Sequence, residues 1–325
     1  MDCRPLYEPL PIDPGPVLDI AEGNQLYQAV AVACRFGLFA ALSEKQSAAE
    51  LAANSGLDGA AVARLLDVLA HAGLLDEQDG SYKTAPAAEA YLRPTALLYL
   101  GHLFPAGFAP ESFGGLLADC LQGGCRESPE PGWNPEQLRQ IGVSGLNGSI
   151  QATVAAVDLA GAARLLDLGG GHGFYSIALA QKYPALAVTL FDLPQVVGLA
   201  GEYVRKFGLA DRIGLVAGDF LKEAIGADYD AVLCANILHS TKRATVLAKV
   251  WQALNPGGRI IVKCRVADCR PTLTTALGKL VWLVRGNREL HDGATWHGFL
   301  EQQGFKDVKT INIHGLFATM TGVKK

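Results

Sequence analysis

The chain has 325 residues, enough for two domains at roughly 150 residues each. Lys and Arg number 28 against 32 Asp and Glu, a net charge of −4, which argues against a nucleic-acid binder and against charge-driven attachment to anionic membrane. Hydrophobic residues reach 50% and charged residues only 18%, below the roughly 25% of an average domain, so sizeable cores are expected and disorder is not.

The most apolar stretch, 29–42, is cut by Arg35 and is too short to span a bilayer. Met1-Asp2-Cys3-Arg4-Pro5 lacks the basic and apolar regions of a signal peptide. The seven cysteines, at 3, 34, 120, 125, 234, 264 and 269, form no C-x-x-C pair. Reduced thiols in a cytoplasm are expected.

Residues 1–16 carry five prolines and read as an irregular arm. A helical apolar pattern follows over 17–41. Ser47-Ala-Ala-Glu50 is a capping box opening a short helix that ends at Asn54-Ser55-Gly56. Leu57-Asp58 opens a second helix, with Val62, Leu65, Leu66, Leu69 and Ala72 on one face and Gly73 as its stop. Leu74-Leu75, an Asp79-Gly80 turn and Tyr82-Lys83-Thr84 read as a hairpin, completing a winged-helix pattern. Between Ser47 and Gln78 the only Lys or Arg is Arg64, so this module does not suit DNA. Residues 93–150 are rich in Pro and Gly and read as connecting helices and loops.

From Ala163 onward strands alternate with helices. Strands are expected at 164–168, 187–192, 213–217, 230–235 and 259–263. Helices are expected at 173–181, 193–207, 240–254, 271–284 and 294–303. This is the pattern of an α/β, Rossmann-like doubly wound sheet. Segments 308–313 and 316–323 add a C-terminal antiparallel hairpin.

The central motif is Leu165-Leu-Asp-Leu-Gly169-Gly170-Gly171-His172-Gly173, between a strand and a helix. Glycines there let a ligand approach the backbone closely. A dinucleotide fingerprint needs a third glycine at Phe174 or Ser176, so it fails in either register. Asp167, inside the strand, suits an amine-bearing ligand. Asp192 ends the next strand, where a carboxylate can take ribose hydroxyls. Asp219, beside Phe220, follows the third strand and suits an adenine.

Segments 165–173, 190–193, 218–220 and 229–239 resemble successive motifs of class I S-adenosylmethionine (SAM) methyltransferases. With the N-terminal module and the late hairpin, residues 17–323 resemble the small-molecule O-methyltransferases with a winged-helix-like dimerisation domain. The resemblance implies a dimerisation domain at 1–100, a connection at 101–150 and a SAM-binding domain at 151–325. It implies SAM contacts from Asp167, Gly169, Gly171, Asp192, Leu193, Asp219, Phe220 and Asn236. It also implies a homodimer acting on a small molecule, with neither nucleic acid nor membrane as partner.

His239 falls on the general-base position of that family, where a neutral imidazole takes a phenol proton. The sequence departs from the family in two places. Ser240 stands where Asp is usual, and His291 stands at or beside the position of an acid. His239, His291 and Asp292, two imidazoles and an acid, can form an open Fe or Zn site. A branch of the family, the metal-dependent α-keto acid C-methyltransferases, resembles that arrangement, with the metal stabilising an enolate. The favoured expectation is therefore metal-assisted C-methylation of an α-keto acid, with His239 and His291 catalytic. The alternative is O-methylation of a phenol with His239 as base. Asn147, Gln151, Phe174, Tyr175, Trp282 and Trp296 are candidate pocket walls, and Arg285 or Arg288 candidate partners for a substrate carboxylate.

Overall fold

The structure, a computed structural model, describes residues 5–8, 13–96, 99–104, 107–124, 138–139, 141–142, 145–146, 148–238 and 242–325. In chain order the elements begin α1 (Gly15–Arg35), α2 (Leu38–Ala41), β1 (Gln46–Ser47), α3 (Ala48–Ser55), α4 (Gly59–His71), β2 (Leu75–Gln78), β3 (Ser81–Thr84), α5 (Pro86–Tyr91) and α6 (Phe113–Leu121). They continue with α7 (Ser149–Ala156), β4 (Arg164–Leu168), α8 (Phe174–Lys182), β5 (Ala187–Asp192), α9 (Pro194–Lys206), β6 (Ile213–Ala217) and β7 (Tyr229–Ala235). The chain ends with α10 (Arg243–Ala253), β8 (Leu254–Arg265), α11 (Leu273–Val284), α12 (Gly293–Gln303), β9 (Lys306–His314) and β10 (Phe317–Val323).

Two compact units result. One comprises residues 14–131 with 270–290; the other comprises 1–13, 132–269 and 291–325. In the first, the capping box forms as the sequence requires. The Ser47 hydroxyl accepts from the Glu50 amide at 3.2 Å, and the Glu50 carboxylate accepts from the Ser47 amide at 2.8 Å. Asp58 caps α4 through the Ala61 amide at 3.0 Å. The antiparallel strands run in the order β1-β3-β2. Leu65, Leu66 and Leu69 of α4 are fully buried, each stabilising the unit by about 1.5–3 kcal/mol. Their core includes Ala276, Leu277, Leu280 and Leu283 of α11. The helix expected over 271–284 therefore packs with the N-terminal helices, although its place in the chain lies between elements of the sheet unit.

The second unit holds a seven-stranded sheet in the order β6-β5-β4-β7-β8-β10-β9. β6, β5, β4, β7 and β8 are parallel; β10 is antiparallel to β8 and to β9. The doubly wound sheet and its terminal hairpin are thus as the sequence suggests. Alternation divides the core in two. Leu165, Val188 and Ile261 belong to the cluster with α7, α8 and α9. Leu166, Val232 and Ile260 belong to the cluster with α10 and α12. The strand order reverses between β4 and β7, and a ligand crevice is expected at the carboxyl ends flanking that point.

Candidate active site

The ends of β4, β5, β6 and β7 that flank this expected crevice carry the candidate residues. After β4 the chain must turn sharply into α8. Gly169 does so at φ +69°, and a Cβ there would stand 2.6 Å from Ile237 Cγ2. Gly170 is equally close-packed: a Cβ would meet Leu190 Cγ at 2.5 Å. Glycine is therefore required at both positions for the loop to pack against these side chains.

Asp167 stands on the inward face of β4 and is only 1% exposed. Its Oδ2 accepts from the Ser176 hydroxyl at 2.6 Å. Its Oδ1 is buried with no hydrogen-bond partner. Burial pushes its carboxyl up to about 7, opposed by the Ser176 hydrogen bond and aided by the nearby Asp192 charge. An unsatisfied buried acceptor of this kind costs stability until a donor arrives.

Asp192 ends β5 and is also buried. Its Oδ2 accepts from the Gly171 amide and its Oδ1 from the Leu193 amide, both at 2.7 Å. Burial raises its pKa and those two amides oppose the rise. Asp219 sits differently. Its carboxylate pairs with Lys222 at 2.8 Å and accepts from the Leu221 amide at 2.9 Å, and it is held below the usual range chiefly by Lys222. The Phe220 ring lies 3.6 Å from where a Gly169 Cβ would be. Asn236, just past β7, adopts φ +60°, unusual for a residue with a side chain. Its amide donates to the Lys263 carbonyl at 2.8 Å, and its buried Oδ1 has no partner.

These residues fit SAM. The orphaned Asp167 and Asn236 oxygens call for donors, such as the ammonium group of a methionine. In the glycine loop, Gly169 and Gly170 pack on Ile237 and Leu190, while Gly171 has open space, the nearest atom to a Cβ there being 3.9 Å away. Asp192 is a carboxylate fixed at the strand end where ribose hydroxyls are taken.

His239 lies outside the described residues, as do Ser240 and Asn147. His291 Nε2 lies 3.2 Å from Nη2 of Arg243, a permanent cation, and its ring packs edge-on against Trp296 and Phe299. Asp292 is exposed and caps α12 through the Thr295 amide at 2.8 Å; that cap, through Thr295, holds its carboxyl low. One nitrogen of His291 faces a guanidinium and the Asp292 carboxylate serves a helix end, and neither contact lends support to a bound Fe or Zn. Among the described residues no group of three His, Cys, Asp or Glu is placed to hold an ion.

Two further histidines and the remaining sequence candidates divide. His297 Nε2 is 2.9 Å from the Thr310 hydroxyl. His172 Nδ1 accepts from the Phe174 amide at 3.1 Å, and burial lowers the ring to about 4. Trp296 is core, donating to the Arg265 carbonyl at 3.3 Å. Gln151 donates to the Glu8 carbonyl at 3.4 Å. Trp282 donates to the Glu289 carbonyl, and Arg288 pairs with Asp58 within the N-terminal unit.

Two residues escaped the sequence reading. Lys263, 2% exposed, donates to the Ser149 carbonyl at 3.0 Å, the Ser149 hydroxyl at 2.5 Å and the Thr153 hydroxyl at 3.0 Å. Burial, with a smaller effect from Arg265, lowers it to about 7. A lysine interrupting Ile260-Ile261-Val262 and Cys264 was a usable signal. Arg243, beside His291, gave none.

Comparison with known proteins bears on the fold and the family. The profile of the O-methyltransferase domain matches residues 143–306, and that of the O-methyltransferase dimerisation domain matches 18–94. The 3-hydroxy-5-methyl-1-naphthoate 3-O-methyltransferase of Streptomyces sahachiroi is 29% identical over 334 residues, covering 97% of each chain. The tetracenomycin polyketide synthesis 8-O-methyl transferase TcmO of Streptomyces glaucescens is 27% identical, covering 93% of this chain and 94% of that one. An O-methyltransferase family 2 protein of Planctomyces limnophilus, solved in complex with apigenin, shares the fold with a TM-score of 0.73 at 23% identity, each chain covered completely. The chain belongs to the O-methyltransferase family and is a SAM-dependent methyltransferase.

Proposed function

We propose that this enzyme methylates the hydroxyl oxygen of a phenolic small molecule of secondary metabolism, with His239 as general base, and works as a homodimer. The observation that carries the donor half is the unpaired, buried Oδ1 of Asp167 behind the glycine loop. When bound, SAM supplies an electrophilic methyl group on a sulfonium. Asp167 and Asn236 hold its amino acid part, Asp192 and Leu193 its ribose, and Asp219 with Phe220 its adenine, while Gly169 and Gly171 give the backbone room. His239 accepts the phenol proton, so that the oxygen attacks as it gains negative charge.

The acceptor class is supported by the names of the relatives, one a 3-O-methyltransferase of a hydroxynaphthoate and one an 8-O-methyl transferase of tetracenomycin polyketide synthesis. Metal-assisted C-methylation loses its support with the capping role of Asp292 and the guanidinium at His291. The homodimer is supported by the dimerisation-domain match and by Val17 and Ile20 of α1, which are 72% and 76% exposed. No described helix is long and apolar enough to cross a membrane, and Cys34, Cys234, Cys264 and Cys269 are free thiols, which suits a reducing cytoplasm.

The test is a panel of phenols and hydroxynaphthoates incubated with methyl-deuterated SAM. Label arriving on oxygen, and lost in His239→Gln, supports the reading. Label on carbon refutes it.

A further inference from the structure

Arg243 opens α10, where a cation opposes the helix dipole, so its place there is not explained by helix stability. Its side chain is held from three sides. Nε donates to the Leu238 carbonyl at 2.9 Å. The guanidinium carbon lies 3.9 Å from the Phe299 ring centroid and 5.1 Å from that of Trp296. Nη2 lies 3.2 Å from His291 Nε2.

A guanidinium only donates hydrogen bonds. Nε2 of His291 is therefore the acceptor, and in the neutral ring Nδ1 carries the hydrogen. Trp296 and Phe299, both close to edge-on at 83° and 78°, fix the plane of that imidazole. Leu238 is the residue immediately before His239 in the chain. One planar group thus grips the carbonyl next to the proposed base and the second histidine singled out by the sequence.

We propose that Arg243 is a positioning residue for methyl transfer. It sets the Nδ1–H tautomer of His291 and ties that ring to the Leu238 carbonyl, one residue before His239 in the sequence. His291 then serves as a hydrogen-bond donor through Nδ1, not as a second base. The proposal rests on the reading of His239 as the base. A planar fork suits this double grip, and a lysine does not.

The experiment uses the full chain, 15N-labelled at histidine, with His291→Asn to assign the His291 resonances. Imidazole 15N spectra read the tautomer with no acceptor present. SAM titration and turnover are then measured for wild type, Arg243→Met and Arg243→Lys. The expected wild-type result is the Nδ1–H tautomer at His291. In Arg243→Met the Nε2–H tautomer appears and kcat falls about tenfold to a hundredfold, the scale of a reacting group displaced by about 1 Å. SAM affinity and the acceptor KM stay within about twofold, a split that general loosening of the fold does not give. Arg243→Lys lies between the two in kcat. An Nε2–H tautomer in the wild type overturns the proposal even when neither variant folds. So does a folded Arg243→Met with wild-type spectrum or wild-type kcat. A wild-type protein that methylates no phenol counts against the proposed acceptor, while a tautomer switch in Arg243→Met still supports the clamp.

Discussion

The amide of Gly171 donates to Asp192 Oδ2 at 2.7 Å, stitching the loop after β4 to the carboxyl end of β5. The contact brings the two parts of the proposed donor site into register before any ligand arrives. Asp192→Ala removes both the stitch and the acceptor for the ribose. SAM affinity is expected to fall by about a hundredfold, as for loss of a hydrogen-bonded buried carboxylate. Isothermal titration measures it; affinity within twofold of wild type would place the ribose elsewhere.

Asp167 gives the site a pH dependence. Its carboxyl is pushed up to about 7, so it is protonated below that pH in the free enzyme. A bound ammonium favours the carboxylate, and binding then releases a proton. SAM affinity should rise about tenfold per pH unit below 7 and level off above it. Asp167→Asn should flatten the curve. Titrations in buffers of different ionisation enthalpy count the proton; a flat wild-type profile would contradict the contact.

Gly169→Ala meets two penalties. Its φ of +69° suits glycine, and the new Cβ would stand 2.6 Å from Ile237 Cγ2. The backbone part alone costs about 1–2 kcal/mol. Chemical denaturation should show at least that loss, and SAM binding should weaken. Adding Ile237→Ala should relieve the clash and leave the backbone penalty. Full recovery in the double variant would show that backbone strain is absent.

Lys263 predicts an alkaline effect on stability. Its folded pKa, about 7, lies below the ordinary 10.5. Both states are protonated below 7, where the burial penalty is full. Between 7 and 10.5 the unfolded chain binds the extra proton, so this term stabilises the fold as pH rises. Wild type should therefore gain on Lys263→Met across that window, by a few kcal/mol at most. Urea unfolding at several pH values tests it; a constant difference would mean that the amine stays charged.

Strand positions were largely legible because apolar runs such as 164–168 and 187–192 end in acids or glycines. The Ser47–Glu50 capping box was equally plain. The partner of α11 was not, since periodicity reveals an apolar face but not what covers it. β8 begins at Leu254, earlier than expected, and runs through Pro256 and both following glycines, which read locally as a turn. Around His291 the sequence offered residue types without directions. Asp292 precedes Gly293-Ala294-Thr295, a helix-start signature that already favoured a cap over a metal ligand. The tie between Arg243 and His291 joins segments far apart in sequence, and composition gives no hint of it.

The most direct measurement is where the methyl group goes. Mass spectrometry and NMR of the product formed from methyl-deuterated SAM and a turned-over phenol should locate the label on oxygen. His239→Gln should lower the rate at least a hundredfold, the usual contribution of a general base. Label on carbon, or a His239→Gln enzyme as fast as wild type, would contradict the account.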